Sequence, residues 1–202
     1  TQTSYKVWAN NSVGSSVAYL NITVNDQLPT LSYSPENLTL TKNQTSTDLP
    51  LNATLTGSGT ITSWAISPSL PSGLNFGTSN GTIWGTPTSL MTLNTFTIWA
   101  NNSGGSSSAT VNITINDVAP SISYSNNDIT ATKNVAISPH VSPSSTGGTL
   151  TSWEISPSPG SAFHFNTNNG VISGTPGIVL SRTQYTIWGN NSGGSSFAYV
   201  NV

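Results

Sequence analysis

Phe96-Thr-Ile-Trp-Ala-Asn-Asn-Ser-Gly-Gly-Ser-Ser is the stretch on which the fold turns. It has two companions: Tyr5-Lys-Val-Trp-Ala-Asn-Asn-Ser-Val-Gly-Ser-Ser upstream, and Tyr185-Thr-Ile-Trp-Gly-Asn-Asn-Ser-Gly-Gly-Ser-Ser downstream. Trp8, Trp99 and Trp188 stand 91 and 89 residues apart, the length of one small β domain. Repetition at that period marks an array of modules rather than one globular enzyme. Within the stretch, Phe96, Ile98 and Ala100 alternate with Thr97, Trp99 and Asn101. A strand so patterned turns one apolar face inward and one polar and aromatic face outward.

Outward from that strand, Val, Ile, Thr, Tyr and Trp continue to alternate with small polar residues between Gly, Pro and Asn-rich turns. No segment sustains a helical apolar period. Strands are expected near 31–34, 37–42, 48–56, 61–67, 73–76, 81–86, 94–101 and 106–116. The third repeat keeps this order with two residues fewer around Val135–Ser144. Seven or eight short strands in about 90 residues is the pattern of an immunoglobulin-like sandwich. The expected fold class is therefore all-β, with tandem immunoglobulin-like β-sandwiches in an extended array. Trp64 lies in phase with Ile66, and Trp153 with Ile155, so both indoles are expected in the core.

Asn25-Asp26-Gln27-Leu28-Pro29 and Asn116-Asp117-Val118-Ala119-Pro120 are polar turns followed by Pro, where one sandwich hands over to the next. They divide the chain into 1–26, 27–117 and 118–202. Residues 1–26 match 92–117, the last two strands of a repeat, and form a candidate donor hairpin. Val202 falls short of the Ile-Thr-Ile-Asn-Asp that closes the middle copy, so the expectation is a window from a longer protein.

Charged residues are 5% of the chain and the formal net charge is −2, which points away from nucleic acid and from anionic membrane surfaces. With no Cys, disulfides, zinc thiolates and thiol nucleophiles are excluded. No apolar run in this segment approaches the roughly 18–20 residues that span a bilayer.

Trp64-Ala-Ile-Ser-Pro-Ser-Leu-Pro-Ser-Gly-Leu-Asn-Phe, Gly81-Thr-Ile-Trp-Gly-Thr-Pro and the Phe96–Gly105 stretch together resemble the "putative Ig" domains. The third repeat keeps Trp153-Glu-Ile-Ser-Pro and Gly170-Val-Ile-Ser-Gly-Thr-Pro, but carries Gly160-Ser-Ala-Phe-His-Phe in the intervening segment. Domains of that family occur in tandem in large bacterial and archaeal surface proteins and are related to cadherin-like repeats. The resemblance implies an extracellular, non-catalytic module that spaces, adheres or assembles.

Asn-X-Ser/Thr sequons occur at Asn10, Asn21, Asn37, Asn43, Asn52, Asn80, Asn101, Asn112 and Asn190. Asn10, Asn21, Asn101 and Asn112 fall on outward strand phases, and attached sugars would keep so weakly charged a chain in solution. Trp8, Trp99 and Trp188 each precede a sequon Asn by two positions, and Tyr19 stands likewise before Asn21. Residues two apart share a strand face at about 6.5–7 Å, within reach for an indole to pack on a glycan's first sugar. The same aromatics could instead bury against a neighbouring domain or subunit. Trp84, outward where the third repeat has Ser173, is a sugar-stacking or contact residue, or a half-buried packing one.

Asp26 with Glu36, and Asp117 with Asp128, offer two carboxylates per joint. Ca²⁺ takes six to eight oxygens, so these are weak calcium candidates and no metal or cofactor is expected. His140 and His164 have no base, nucleophile or metal partner beside them in sequence, and no enzyme is expected.

The sequence therefore reads as a structural module of a glycosylated extracellular filament or cell-surface stalk. Its expected partners are its own copies or neighbouring repeats, joined by β-strand addition, and covalent N-glycans. The alternative is an adhesin that binds carbohydrate or a surface protein through its outward aromatics.

Overall fold

The structure, a computed structural model, describes residues 2–57 and 59–202. Its contacts separate two compact units. One holds the chain up to Leu38, Thr45–Thr86 and Leu93–Ile113; the other holds Thr39–Gln44, Pro87–Thr92 and Thr114–Val202.

The first two strands, β1 (Gln2–Asn10) and β2 (Ser15–Thr23), form an antiparallel hairpin with register from Gln2↔Thr23 to Asn10↔Ser15. Asn11 makes the turn: its N–H donates to the Gly14 carbonyl, and its side-chain oxygen accepts the Val13 and Gly14 N–H groups. Every residue of both strands is exposed.

Eight strands follow in the middle repeat: β3 (Thr30–Ser32), β4 (Asn37–Thr41), β5 (Thr54–Thr56), β6 (Ser63–Ser67), β7 (Leu74–Phe76), β8 (Ile83–Gly85), β9 (Met91–Asn102) and β10 (Gly105–Asn116). They make a four-stranded sheet in the order β4-β10-β9-β6, with β3–β5 and β7–β8 as two-stranded pairs. Phe96, Ile98, Ala100, Val111 and Ile113 are fully buried, as the alternation expects, while their strand neighbours stay at least partly accessible. Trp64 is buried at 9% exposure beside them in β6.

Only the last three residues of the expected 48–56 strand pair as one. Pro50 has no N–H for a ladder, Asp48 turns on the Ser46 hydroxyl, and Leu51 makes a lone bridge to Ile83.

The third repeat holds β11 (Ser121–Tyr124), β12 (Pro143–Thr146), β13 (Ser152–Ser156), β14 (His164–Phe165), β15 (Ile172–Ser173), β16 (Gln184–Asn191) and β17 (Gly194–Asn201). The sheet β13-β16-β17 and the pairs β11–β12 and β14–β15 enclose a core that includes Trp153, Phe163, Ile172, Tyr185, Ile187 and Val200. Phe163 meets Tyr185 edge-on at 5.0 Å. Among the described residues no strand matches β4 in this repeat, and Asp128 makes a parallel bridge to Asn201. In the middle repeat that ladder reaches Lys42 N–H on the Asn116 carbonyl.

Candidate functional site

Two features recur outside the cores: an outward strand face carrying aromatics and amides, and a polar clasp where each Asn-Asp turn meets a hairpin tip.

The outward face is best defined in the third repeat. Trp188 stands opposite Phe197, Thr186 opposite Tyr199, and Asn190 opposite Ser195. On the other side of β16, Glu154 faces Trp188 and Ser152 faces Asn190. Phe197 and Tyr199 are 54% and 48% exposed, their rings 5.4 Å apart and edge-on; Trp188 is half-buried. In the hairpin, Trp8 lies opposite Val17 and Lys6 opposite Tyr19, and the Lys6 ammonium sits 4.3 Å from the Trp8 ring centroid. Trp8 and Tyr19 are exposed, whereas Trp99 is half-buried. Trp84 is 42% exposed opposite Asn75, in the place where the third repeat pairs Ser173 with His164.

The sequon amides fall into distinct states. Asn10, Asn21 and Asn43 are exposed, and their side chains make no hydrogen bond among the described residues. Asn43 occupies the left-handed region at φ 58. Asn80 accepts the Thr82 N–H at 3.1 Å, and the Thr82 hydroxyl donates to Asn52 at 3.1 Å. By contrast, Nδ2 of Asn101 donates to the Ser63 hydroxyl at 3.0 Å, and Nδ2 of Asn112 donates to Asn37 Oδ1 at 2.8 Å. Nδ2 of Asn190 is shared between the Ser152 hydroxyl and Glu154 Oε1 at 3.2 and 3.1 Å, and its Oδ1 accepts the Ser195 hydroxyl.

The clasp is built twice from the same parts. Asp26 N–H donates to Ser103 Oγ, which donates back to the Asp26 carboxylate, both at 2.8 Å, while Asn102 Nδ2 donates to the Gln27 carbonyl at 2.7 Å. Asp117 N–H donates to Ser192 Oγ at 2.9 Å, and Asn191 Nδ2 donates to the Val118 carbonyl at 2.8 Å. The Asp117 carboxylate is buried and accepts the Val118 and Thr149 N–H groups at 2.9 and 3.0 Å. Gly104 and Gly193 complete the fit, because a Cβ on either would lie 2.1 or 2.2 Å from the Asp26 or Asp117 carbonyl oxygen. The sequon hydroxyls of Asn101 and Asn190 are thus the clasp hydroxyls.

Three of the calcium candidates have other partners: the Asp26 and Asp117 carboxylates serve their clasps, and Asp128 pairs with Arg182 at 2.7 Å. Among the described residues no group of three or more His, Asp or Glu is placed to hold a metal ion. Sequence reading missed Phe197 and the serines of the clasp. Phe197 was detectable two positions from Tyr199 on an outward phase. The serines pair with residues 77 and 75 positions away, which only the fold brings together.

Residues 10–116 match the family described as "Putative Ig domain". No curated protein matches. Among solved structures, the chain is similar to the I-band fragment I67-I69 of titin, at 15% identity and TM-score 0.51, over 98% of this chain and 73% of that one. It also aligns with extracellular domains 3–5 of Drosophila OTK at 17% identity and TM-score 0.48, over 99% and 69%. The titin likeness bears on the fold alone.

Proposed function

The chain belongs to the "Putative Ig domain" family, and from that membership we propose that it is a non-catalytic segment of a glycosylated extracellular filament or cell-surface stalk. The family resemblance implies an extracellular repeat or adhesion module. The doubled clasp carries the reading. Each of the two compact units closes its own Asn-Asp turn with the same set of bonds, and a unit that recurs with its own turn so fixed suits linear repetition. The work of such a segment is spacing and presentation, and sugars on its accessible sequons solvate a chain with 5% charged residues.

Assembly by β-strand addition belongs to the same proposal. Tyr5, Val7, Leu20 and Ile22 are 42–52% exposed at positions where Phe96, Ile98, Val111 and Ile113 are fully buried. This exposed apolar face favours docking on another module.

Electron microscopy of the native material, with glycopeptide mass spectrometry, tests the whole. Filaments or stalks bearing N-linked sugars are expected; dispersed particles with bare asparagines would refute the proposal. For strand addition, sedimentation of Val7→Asp/Leu20→Asp should show association lost, and unchanged association removes that part.

A further inference from the structure

We propose that the outward face of β16 and β17 is a binding platform for a neutral polysaccharide, with Trp188, Phe197 and Tyr199 as its stacking residues. The proposal concerns this face alone and stands whether or not the chain serves in a filament.

The cross-strand pair Trp188↔Phe197 and the i, i+2 pair Phe197–Tyr199 set three rings side by side on one face of a two-stranded ladder. Folding does not require the rings of Phe197 and Tyr199, whereas Trp188 has Trp99 at its place in the middle repeat. The middle repeat forms the same hairpin with Ser108 and Thr110 at the positions of Phe197 and Tyr199. Phe197 and Tyr199, which the core does not need and which are left about half exposed, are the kind of surface that marks a ligand.

Size and charge choose among the ligands. Three partly exposed rings offer roughly 300 Å² of contact, well under the roughly 800 Å² per partner of a standard protein interface. Around them stand Thr186, Asn190, Ser195 and Ser152, all neutral donors or acceptors, with Glu154 the one ionised group in these register pairs. Glu154 is already an acceptor for Asn190 Nδ2. A face of aromatic rings edged with amides and hydroxyls matches a sugar ring, which has an apolar C–H face and a rim of hydroxyls. It offers nothing to hold a phosphate, a sulfate or a nucleic acid.

Affinity electrophoresis of the 202-residue chain, prepared without attached sugars, through gels containing hydroxyethylcellulose, mannan or laminarin is the test. Retardation by at least one of the three is expected, and its loss in Phe197→Ser/Tyr199→Thr, which installs the middle repeat's own residues on a fold known to accept them. Ser108→Phe/Thr110→Tyr should add a second site and strengthen the retardation. Free migration in all three gels, or retardation that survives the double substitution, overturns the proposal. The outcome is independent of whether native material forms filaments.

Discussion

The Tyr33 hydroxyl donates to the Gly81 carbonyl at 2.6 Å, inside the middle core and 48 positions away in sequence. Tyr124 and Gly170 repeat the bond in the third repeat. Both glycines hold left-handed backbone, at φ 70 and 71, and both lie under an indole: a Cβ on Gly81 would sit 2.4 Å from the Trp64 ring, and one on Gly170 2.6 Å from the Trp153 ring. Tyrosine, glycine and tryptophan therefore act as one lock, with glycine the only residue that both fits the space and adopts the conformation without strain.

Gly81→Ala adds a strained backbone and an overpacked ring, each worth about 1–3 kcal/mol. Urea denaturation should show a loss of roughly 3 kcal/mol for Gly81→Ala and a comparable loss for Gly170→Ala. Tyr33→Phe should cost about 1–3 kcal/mol by orphaning a buried carbonyl. An unchanged midpoint for Gly81→Ala would show that the indole moves aside freely.

The same burial has a consequence at high pH. Desolvation raises the ionisation of Tyr33 and Tyr124 above the ordinary tyrosine value, and that of Tyr185 moves the same way. A raised folded value means that the unfolded chain releases its tyrosine protons first. Stability is fully present below about pH 10, the unfolded tyrosine value, and declines as pH rises beyond it toward the folded values. Thermal unfolding followed from pH 8 to 12 should be flat at first and then fall. Tyr33→Phe should flatten part of that fall. A stability that held level to pH 12 would contradict the buried hydroxyls.

The alternation that exposed the strands in sequence was sufficient for Phe96, Ile98, Tyr185 and Ile187, and for the two buried indoles, because a strand facing one core has a period of exactly two residues. It failed at 48–56, where a proline and a local hydroxyl turn outweigh the apolar pattern of Leu49 and Leu51. The role of Gly81 was hidden in the motif Gly-Thr-Ile: spacing marks a strand there, and only the fold brings Trp64 over it. Outward phases were read correctly for Asn101 and Asn112, yet an outward phase does not reveal that an amide is already bonded to a neighbouring strand.

At the clasp, Asp117 is the buried acceptor for two backbone N–H groups, so Asp117→Ala leaves both without a partner. A loss of about 1–3 kcal/mol is expected for each orphaned donor at most. Hydrogen exchange should show the Thr149 amide losing protection while Ile187, within the core strand, keeps its own. Gly193→Val should loosen the same place by steric means, since its Cβ has no room beside the Asp117 carbonyl. Unaltered exchange at Thr149 in both variants would mean that the clasp does not hold the turn.

Sugar occupancy should follow the state of the amide nitrogen, the atom that an N-glycan is bonded to. Asn10, Asn21 and Asn43 are exposed with uncommitted side chains, and Asn43 stands at a turn. Asn101, Asn112 and Asn190 each spend Nδ2 on a neighbouring strand, and the Ser103 and Ser192 hydroxyls that complete two of those sequons are held in the clasps. Glycopeptide mass spectrometry of folded protein modified after folding should find sugar on the first three and little on the second. Asn112→Gln would lengthen the side chain and break its bonds to Thr95 and Asn37, at about 0.5–1.5 kcal/mol per hydrogen bond. Asn21→Gln should leave stability unchanged and remove one glycan. Equal occupancy at Asn21 and Asn112 would show that the folded amide bonds do not govern modification.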